Sequence, residues 1–502
     1  MDAADVAVYG ATAGGVVAAI AASEAGARCV LLEPGRHVGG MVTGGLGKTD
    51  HERQERVIGG HARTFFERVG ATYSEPIAWR FEPHVAEQIL LDWLDRAGVD
   101  VRHDWALDAV ASSGGAMTTV TSTAGASVTA GVWVDATYEG DLLAAAGVSY
   151  RVGREARSLH GESLAGRREL LPGPHQFRAP VRAADAMALA ALVQPLEAIG
   201  LPGDGDGKLQ GYGYRVCLSG DRGRSEPLAP PAGYDPAHYR LVAAYLRALG
   251  DGARVGDVLG VGQLPNGKAD VNSNGPVSTN LLGASWGYPE ATAVEREQIR
   301  ARHHDWDQGL LYFLASDPAV LVHTRSALGR WGLPHDEFTD SGGWPHQLYV
   351  REARRMVGEY VLTQRDLTAE RGKPDGIGMG GYNVDIREVQ WVACPVSRFP
   401  DVVDELLTEG YLSVPVEPWQ IPYRALLPRR EECTNLLVPV CISASHVAFN
   451  GFRLEPQYMI AGQAAGTAAA LAARDAGGRV HDVDIEELQR RLVASGAILS
   501  FP

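Results

Sequence analysis

The chain has 502 residues, enough to bury a large core and to divide into about two domains. Its apolar fraction of 45% is ordinary for a globular protein, and a formal net charge of −15 without any basic block argues against nucleic acid or an anionic membrane as partner. Five cysteines without a C-x-x-C pair fit reduced thiols, no apolar run reaches the ~20 residues that span a bilayer, and the MDAADV start lacks the basic region of a signal peptide, so a cytoplasmic location is expected.

The first predicted element is the strand Val6–Tyr9, a short apolar run of the kind buried in a parallel sheet. Gly10 allows a sharp turn out of it, and Ala13 to Ala25 reads as a helix of small residues. The N-terminus of that helix would offer N–H groups and a partial positive charge to a pyrophosphate, and Gly15 would allow close helix–strand packing. A second strand, Arg28–Leu32, ends at Glu33. Its carboxylate suits a ribose diol and would repel a 2′-phosphate, so the unit fits FAD or NAD rather than NADP. Thr12 stands where G-x-G-x-x-G has its middle glycine, but the strand, helix, second strand and Glu33 supply the context that such a motif needs.

A second glycine cluster follows, with Gly39-Gly40-Met41 and Gly44-Gly45. A nicotinamide-only fold would run directly into its next helix. Backbone N–H groups reach an anion where no Cβ intervenes, so the cluster points to FAD. Lys48 and Asp50 close it, Asp50 either capping a turn or reaching the flavin.

Apolar spacing then predicts a helix over Glu82–Ala97 and strands at Val99–Arg102, Trp105–Ala111, Met117–Ser122, Ser127–Ala130 and Val132–Ala136. The last runs into Thr137-Tyr138-Glu139-Gly140-Asp141, where Asp141 is read either as an N-cap for Leu142–Ala146 or as a cofactor contact. From about Tyr150 to Pro231, clusters of Pro and Gly mark a different domain or a long insertion. A strand is expected at Tyr212–Ser219 and helices at Pro236–Leu249 and Pro289–Ala315. Trp344–Glu359, with Arg351, Arg354 and Arg355, is expected to be a solvated helix face rather than an anion site. Asn435–Ile442 reads as a buried strand, and Glu455–Ala473 as a helix of small residues that needs close packing. The expected fold class is α/β: a Rossmann-like FAD/NAD(P)-binding domain from residues 1–150 and 426–502, with an inserted α+β substrate domain over 151–425.

The segments GGMVTGGLGKTD, WVDATYEGDLLAAAGV, LPNGKADVNSNG, LYVREARRMVGEY and SASHVAFNGFRLEPQYMIAGQAAGTAAAL span nearly the whole chain. Together they resemble the bacterial FAD-dependent oxidoreductase family, some members of which carry a xanthan-lyase-like label. The resemblance implies a glutathione-reductase-type FAD domain in two parts with an inserted substrate domain. By position it places Gly10, Gly14 and Gly15 at the pyrophosphate, Glu33 at the ribose, and Gly39, Gly40 and Met41 on the path to the flavin. It also implies that the last long helix points its N-terminus at the pyrimidine edge, where it would stabilise charge on the reduced ring. The full cofactor-binding set assigned in this way is Gly10, Thr12, Ala13, Gly14, Gly15, Glu33, Pro34, Arg36, Gly39, Gly40, Met41, Gly44, Gly45, Thr137, Asp141, Gly462 and Gln463. The chain departs from the family's Tyr-x-x-Asp-Ser-His segment at Tyr382-Asn383-Val384-Asp385-Ile386-Arg387, where Arg387 replaces the histidine. Either the ligand is anionic there or the base lies elsewhere.

Flavin oxidation of a C–H bond needs a base for the neighbouring O–H or N–H proton. His446, after a strand's carboxyl end, is the leading candidate, with a plain hydrogen bond to cofactor or backbone as the competing role. Arg453 would hold a substrate carboxylate or the reduced flavin, unless it pairs with Glu455. No metal site is expected. Asp270–Gly275 opens like a calcium loop but has Leu281 at the twelfth position, and His303 and His304 cannot share a helix face. Gly283-Ala284-Ser285-Trp286-Gly287 matches a hydrolase elbow but no strand precedes it. The expected activity is two-electron dehydrogenation of a polar small molecule at a C–OH or C–N centre, with dioxygen or another acceptor reoxidising the flavin. An NAD(P)H-dependent monooxygenase, a redox-neutral isomerase or lyase, and a hydrolase using Ser285 are the alternatives. The partner is a small-molecule substrate, and a homo-oligomer is left open.

Overall fold

The N-terminal apolar run forms β1 (Asp2–Tyr9), followed by α1 (Ala13–Glu24) and β2 (Cys29–Leu32), in a computed structural model that describes residues 2–50, 54–400 and 402–501. Every residue of α1 from Ala13 to Ala22 is buried, as suits a helix with no polar face. Two helices come next: α2 (Gly60–Thr72), which has no counterpart among the predicted elements, and α3 (Pro83–Ala97). The chain then adds β3 (Asp100–Arg102), β4 (Leu107–Ser113), β5 (Ala116–Ser122) and β6 (Ser127–Asp135). The two strands expected over 127–136 are one, because Gly131 continues the extended chain.

These strands and the short strand Leu436–Leu437 form one seven-stranded sheet in the order β3-β2-β1-β6-β5-β4. β3, β2, β1 and β6 run parallel, whereas β4 and β5 form an antiparallel meander on the far side of β6. The sheet forks at β6. Its N-terminal half pairs with β5, and Trp133 and Val134 pair in parallel with Leu436 and Leu437. Only those two residues of the expected strand Asn435–Ile442 join the sheet; the rest is buried but irregular. β6 leads through a turn into the short helix α4 (Asp141–Ala145).

The middle of the chain builds smaller antiparallel units. A five-stranded sheet contains Val216–Ser219 and Lys268–Ser273, and it is accompanied by the long helix α5 (Ala293–Ser316), which a Thr292–Glu295 capping box starts. The strand expected over Tyr212–Ser219 is confined to its last four residues. The expectation for Trp344–Glu359 is overturned: the segment is extended, not helical, and Arg351, Arg354 and Arg355 are only 3%, 7% and 0% exposed. Gly378 of the strand Gly376–Gly380 lies directly against Ile460, so the middle of the chain packs on its C-terminal part.

The C-terminal part returns as α6 (His446–Phe452) and α7 (Glu455–Asp475). α7 lies along α1 at a distance that only small residues allow. A Cβ on Gly462 would come within 2.1 Å of the Gly14 carbonyl oxygen, and one on Gly466 within 2.0 Å of that of Ala18. We expect Gly462→Ala to force the two helices apart and to cost about 3 kcal/mol, seen as a lower urea midpoint with an unchanged slope.

Candidate active site

The parallel strands end on one side of the sheet, where an open α/β sheet places its ligand. There β1, β2 and β6 border a cavity of about 380 Å³ lined by Gly10, Thr12, Glu33, Pro34, Thr137 and Asp141. Gly10 has φ +93°, a left-handed conformation that favours glycine. A Cβ on Gly15 would lie 1.9 Å from the Gly10 carbonyl oxygen, so the turn and the helix interlock. Thr12, in place of the usual middle glycine, is the helix cap. Its hydroxyl accepts from the Gly15 N–H (3.1 Å) and donates to the Ala136 carbonyl (2.7 Å), which ties the turn to the end of β6.

Glu33 accepts from the Ala11 N–H (2.6 Å) and the Gly35 N–H (2.7 Å), and burial pushes its carboxyl up to about 7. Thr137 is locked by Asp135, which accepts from its N–H (3.0 Å) and its hydroxyl (2.7 Å). Asp141 is not the cap of α4, a position held by Gly140. Its carboxylate instead receives Arg296 (2.7 and 2.8 Å) and Arg354 (2.8 Å), which hold it below the usual carboxylate range despite burial. Arg296 and Arg300, one turn apart on α5, bring positive charge from the middle of the chain to the cavity wall.

His346 completes this wall. Its ring stacks on His37 (centroids 3.9 Å apart), burial lowers it to about 4, and both nitrogens are buried without a partner among the described residues. A turn of close-approach glycines, a half-buried ribose-type carboxylate, two cavity arginines and an unsatisfied neutral imidazole together fit a dinucleotide. The glycine cluster continues from here: Gly44 would bring a Cβ to 2.3 Å from Gln347, and Gly45 to 2.0 Å from the Arg215 carbonyl oxygen, so the loop docks the middle region. Met41 donates its N–H to the Tyr138 hydroxyl (3.0 Å), which donates in turn to Glu455 (2.8 Å) in the first turn of α7. Glu455 Oε2 has no partner among the described residues, and burial pushes its carboxyl up to about 8.

Several assigned positions have other uses. Arg36 is on the surface, its side chain 75% exposed and paired with Asp104. Gly462 packs on Gly14, and Gln463 caps α2 by accepting the His61 N–H (2.9 Å). Small size in this helix serves helix–helix contact, which composition cannot distinguish from ligand contact. Ala13 is buried in the first turn of α1, and Gly39 donates its N–H to the Ala11 carbonyl (2.6 Å), joining the second glycine cluster to the first turn.

The catalytic candidates meet beyond the cavity. His446 opens α6; its N–H donates to Glu155 (2.8 Å) and its Nδ1 lies 2.9 Å from both oxygens of Glu352. Glu352 is also bound by Gln210 (3.0 Å), Asn450 (3.0 Å) and Arg355, whose Nη2 reaches Glu155 (2.6 Å). Burial opposes its ionisation, but His446 and Arg355 outweigh that and hold the carboxyl at about 2. Nε2 of His446 has no protein partner among the described residues. Arg453 pairs with Asp385 (3.0 Å), not Glu455, and also donates to Asn450 (2.8 Å) and Tyr349 (3.2 Å). Arg387 donates to the carbonyl and hydroxyl of Ser273 (3.1 Å each). Glu352, Tyr138, Arg296 and Arg300 were outside the expected set. The one signal for Glu352 is its place between arginines in a run that also contains Val350 and Ala353.

Other expectations fare as follows. Ser285 is fully buried and its hydroxyl has no hydrogen-bond partner among the described residues, so none of them activates it. Asp270 lies in the strand Lys268–Ser273 and pairs with buried Arg215. His303 is fully buried and His304 partly exposed, on different sides of α5. Glu82, His84 and Asp336 approach one another, but Lys268 stands among them, 2.8 Å from Glu82, 2.8 Å from Asp336 and 2.7 Å from Glu337, and supplies the positive charge. Asp50 accepts the Gln54 side chain at its carbonyl (2.6 Å), as in a turn.

A doubly wound sheet with this glycine turn, acidic strand end and returning C-terminal helix defines a dinucleotide-binding flavoprotein fold. The chain matches the family described as FAD dependent oxidoreductase over residues 5–492 and belongs to it, so FAD is its cofactor and it is an FAD-dependent oxidoreductase. No curated protein matches it. Among solved structures it is similar to the OxyS anhydrotetracycline hydroxylase from Streptomyces rimosus (18% identity, 37% of this chain and 48% of that one, TM-score 0.26). It is also similar to the L-proline dehydrogenase from P. horikoshii (13% identity, 31% and 59%, TM-score 0.26). A third is the 3-ketosteroid-delta4-(5alpha)-dehydrogenase from Rhodococcus jostii RHA1 (16% identity, 29% and 48%, TM-score 0.20). The chain thus spans between about half and three fifths of the length of these proteins. No helix among the described residues is long and apolar enough to cross a membrane.

Proposed function

We propose that the protein catalyses the two-electron dehydrogenation of a polar small molecule at a C–OH or C–N centre, with dioxygen or another acceptor completing the cycle. The observation that carries this reading is the buried His446–Glu352 pair, which hydrogen bonds link through Asn450 to Arg453, two residues before α7. When bound, FAD supplies the two-electron acceptor. The chain's glycine turn, Glu33, Thr137, Arg296 and Arg300 would hold the dinucleotide, and the segment 151–425 would form the substrate side.

Glu352 fixes the imidazole through Nδ1, so Nε2 is the atom that receives the substrate's O–H or N–H proton. Glu155, Glu352 and Arg355 together carry one excess negative charge with a neutral His446. A proton on Nε2 therefore brings this buried group to neutrality, the same logic by which a buried carboxylate supports an imidazolium in hydrolases. The hydrogen bonds of Gln210 and Asn450 to Glu352 keep it in place while the charge changes.

The purified protein is expected to show flavin absorbance near ~450 nm and to bleach anaerobically on addition of a polar alcohol or amine from a metabolite panel. Bleaching by NAD(P)H alone, with none of the panel effective, would overturn the dehydrogenase reading in favour of a hydroxylase. An unchanged spectrum during turnover would overturn it in favour of redox-neutral chemistry.

A further inference from the structure

Buried charges in proteins are normally paired, because an isolated one loses its hydration without compensation. Three arginines of the segment 351–355 are buried, and two of them obey this rule. Arg354 pairs with Asp141 and Glu290, and Arg355 with Glu155 and Glu352. Arg351 has no carboxylate within salt-bridge distance among the described residues. It donates to the Gly211 carbonyl, makes a long contact with the Ser273 hydroxyl (3.5 Å), and stacks on the Tyr349 ring at 4.3 Å. Burial lowers its guanidinium to about 9, and the nearby charges of Arg387 and Arg453 add to the effect.

The neighbours do not supply the missing charge. Arg453 already holds Asp385. Glu388 stands 3.8 Å from Arg387 but is engaged by His175 at 2.5 Å, and Arg387 Nε is buried without an acceptor. Arg453 and Arg387 thus have carboxylates beside them, and Arg351 is left without one among the described residues. The cluster is open on one side, since Tyr349, Tyr382, Arg387 and Tyr411 are only partly buried. It also connects to the base: Tyr349 bonds Arg453, Arg453 bonds Asn450, and Asn450 bonds Glu352, which holds His446.

We propose that Arg351, with Arg387 and the Ser273 hydroxyl, binds a carboxylate of the substrate, which is accordingly a hydroxy or amino carboxylate. The proposal rests on the dehydrogenase reading for the reaction and on this unpaired cation for the ligand. One unpaired guanidinium matches the single charge of a carboxylate, whereas a phosphate group brings close to two. The planar guanidinium forks are also shaped for two carboxylate oxygens. Arg453, considered for this role from the sequence, is occupied by Asp385, and Arg351 takes it over.

The test is calorimetric titration of the flavin-loaded protein with benzoate, benzamide and inorganic phosphate, together with melting curves. Benzoate is expected to bind and to raise the melting temperature, and benzamide to do neither. Arg351→Met should weaken benzoate by roughly 30-fold or more. Without ligand that variant should melt at or above the wild-type temperature, because an uncompensated buried charge is gone. Arg387→Met, at the open rim, should also weaken benzoate and serves if the first variant does not fold. Equal benzoate binding by wild type and both variants, absence of benzoate binding, or tighter binding of phosphate than of benzoate would overturn the assignment. A carboxylate that binds as expected while no hydroxy or amino acid bleaches the flavin would overturn the dehydrogenase reading and leave the anion site standing.

Discussion

Replacing His446 with alanine lowers the rate of anaerobic flavin reduction by about 10²-fold or more, while the protein keeps its bound-flavin spectrum. The expectation follows from geometry. Glu352 holds Nδ1 at 2.9 Å, so the ring has one orientation and one tautomer, and Nε2 is the only atom of the pair free to take a proton. A purely structural histidine would give a different result, with loss of flavin or of folding and no specific change in the rate. Stopped-flow reduction across pH separates these cases. Reduction should be fast in the wild type and slow in His446→Ala at every pH at which the fold is retained. Glu352→Gln should also slow reduction, because it removes the anion that holds Nδ1 and balances a proton on Nε2. Near-normal reduction by His446→Ala at all pH values would remove the residue from the reaction.

The parts of this site that local sequence could reveal are those whose physics is local. β1, α1, β2 and Glu33 follow one another within 32 residues, and each is marked by its own residues: an apolar run, a glycine turn, a helix without a polar face, and an acid at a strand end. The surroundings of Arg351 are the opposite case. The segment 344–359 looks solvated because it is rich in charge, yet Arg354 and Arg355 find carboxylates far along the chain. Arg354 meets Asp141 at a separation of 213 residues, and Arg355 meets Glu155 at 200. Periodicity within the segment carries no information about such partners, so an extended buried strap was read as an exposed helix. The contacts of Gly462 and Gln463 were hidden for a related reason. A small residue opposite a backbone and an amide capping a helix use the same residue types as a cofactor cradle, and only the path of α7 along α1 distinguishes them. The fork at β6, where Leu436 pairs with Trp133, was equally hidden, since two residues are too few to register as a strand.

Glu455→Gln stabilises the protein at pH 8 and leaves it nearly unchanged at pH 5. Glu455 is buried in the first turn of α7, with one hydrogen bond, from Tyr138, and an Oε2 without a partner among the described residues. The helix N-terminus favours a negative charge there by about 1 kcal/mol at most. Burial works in the other direction and wins, raising the carboxyl from its ordinary 4.5 to about 8. The sign of the linkage is then determined. Below 4.5 both folded and unfolded chains hold the proton, and the site costs nothing. As pH rises from there towards 8 the unfolded chain ionises first, so wild-type stability falls by up to about 1.4 kcal/mol per pH unit. Glutamine cannot ionise and still offers an oxygen to the Tyr138 hydroxyl, so it escapes the loss. Its advantage over wild type should grow by about 3.5 kcal/mol between pH 5 and pH 8, measured by urea denaturation of both proteins at equal flavin loading. Other titrating groups, Glu33 among them, contribute equally to both proteins and cancel in the difference. An advantage that stays constant with pH, or is larger at pH 5, would show that Glu455 keeps its charge inside the fold and that a cation or a donor absent from this arrangement compensates it.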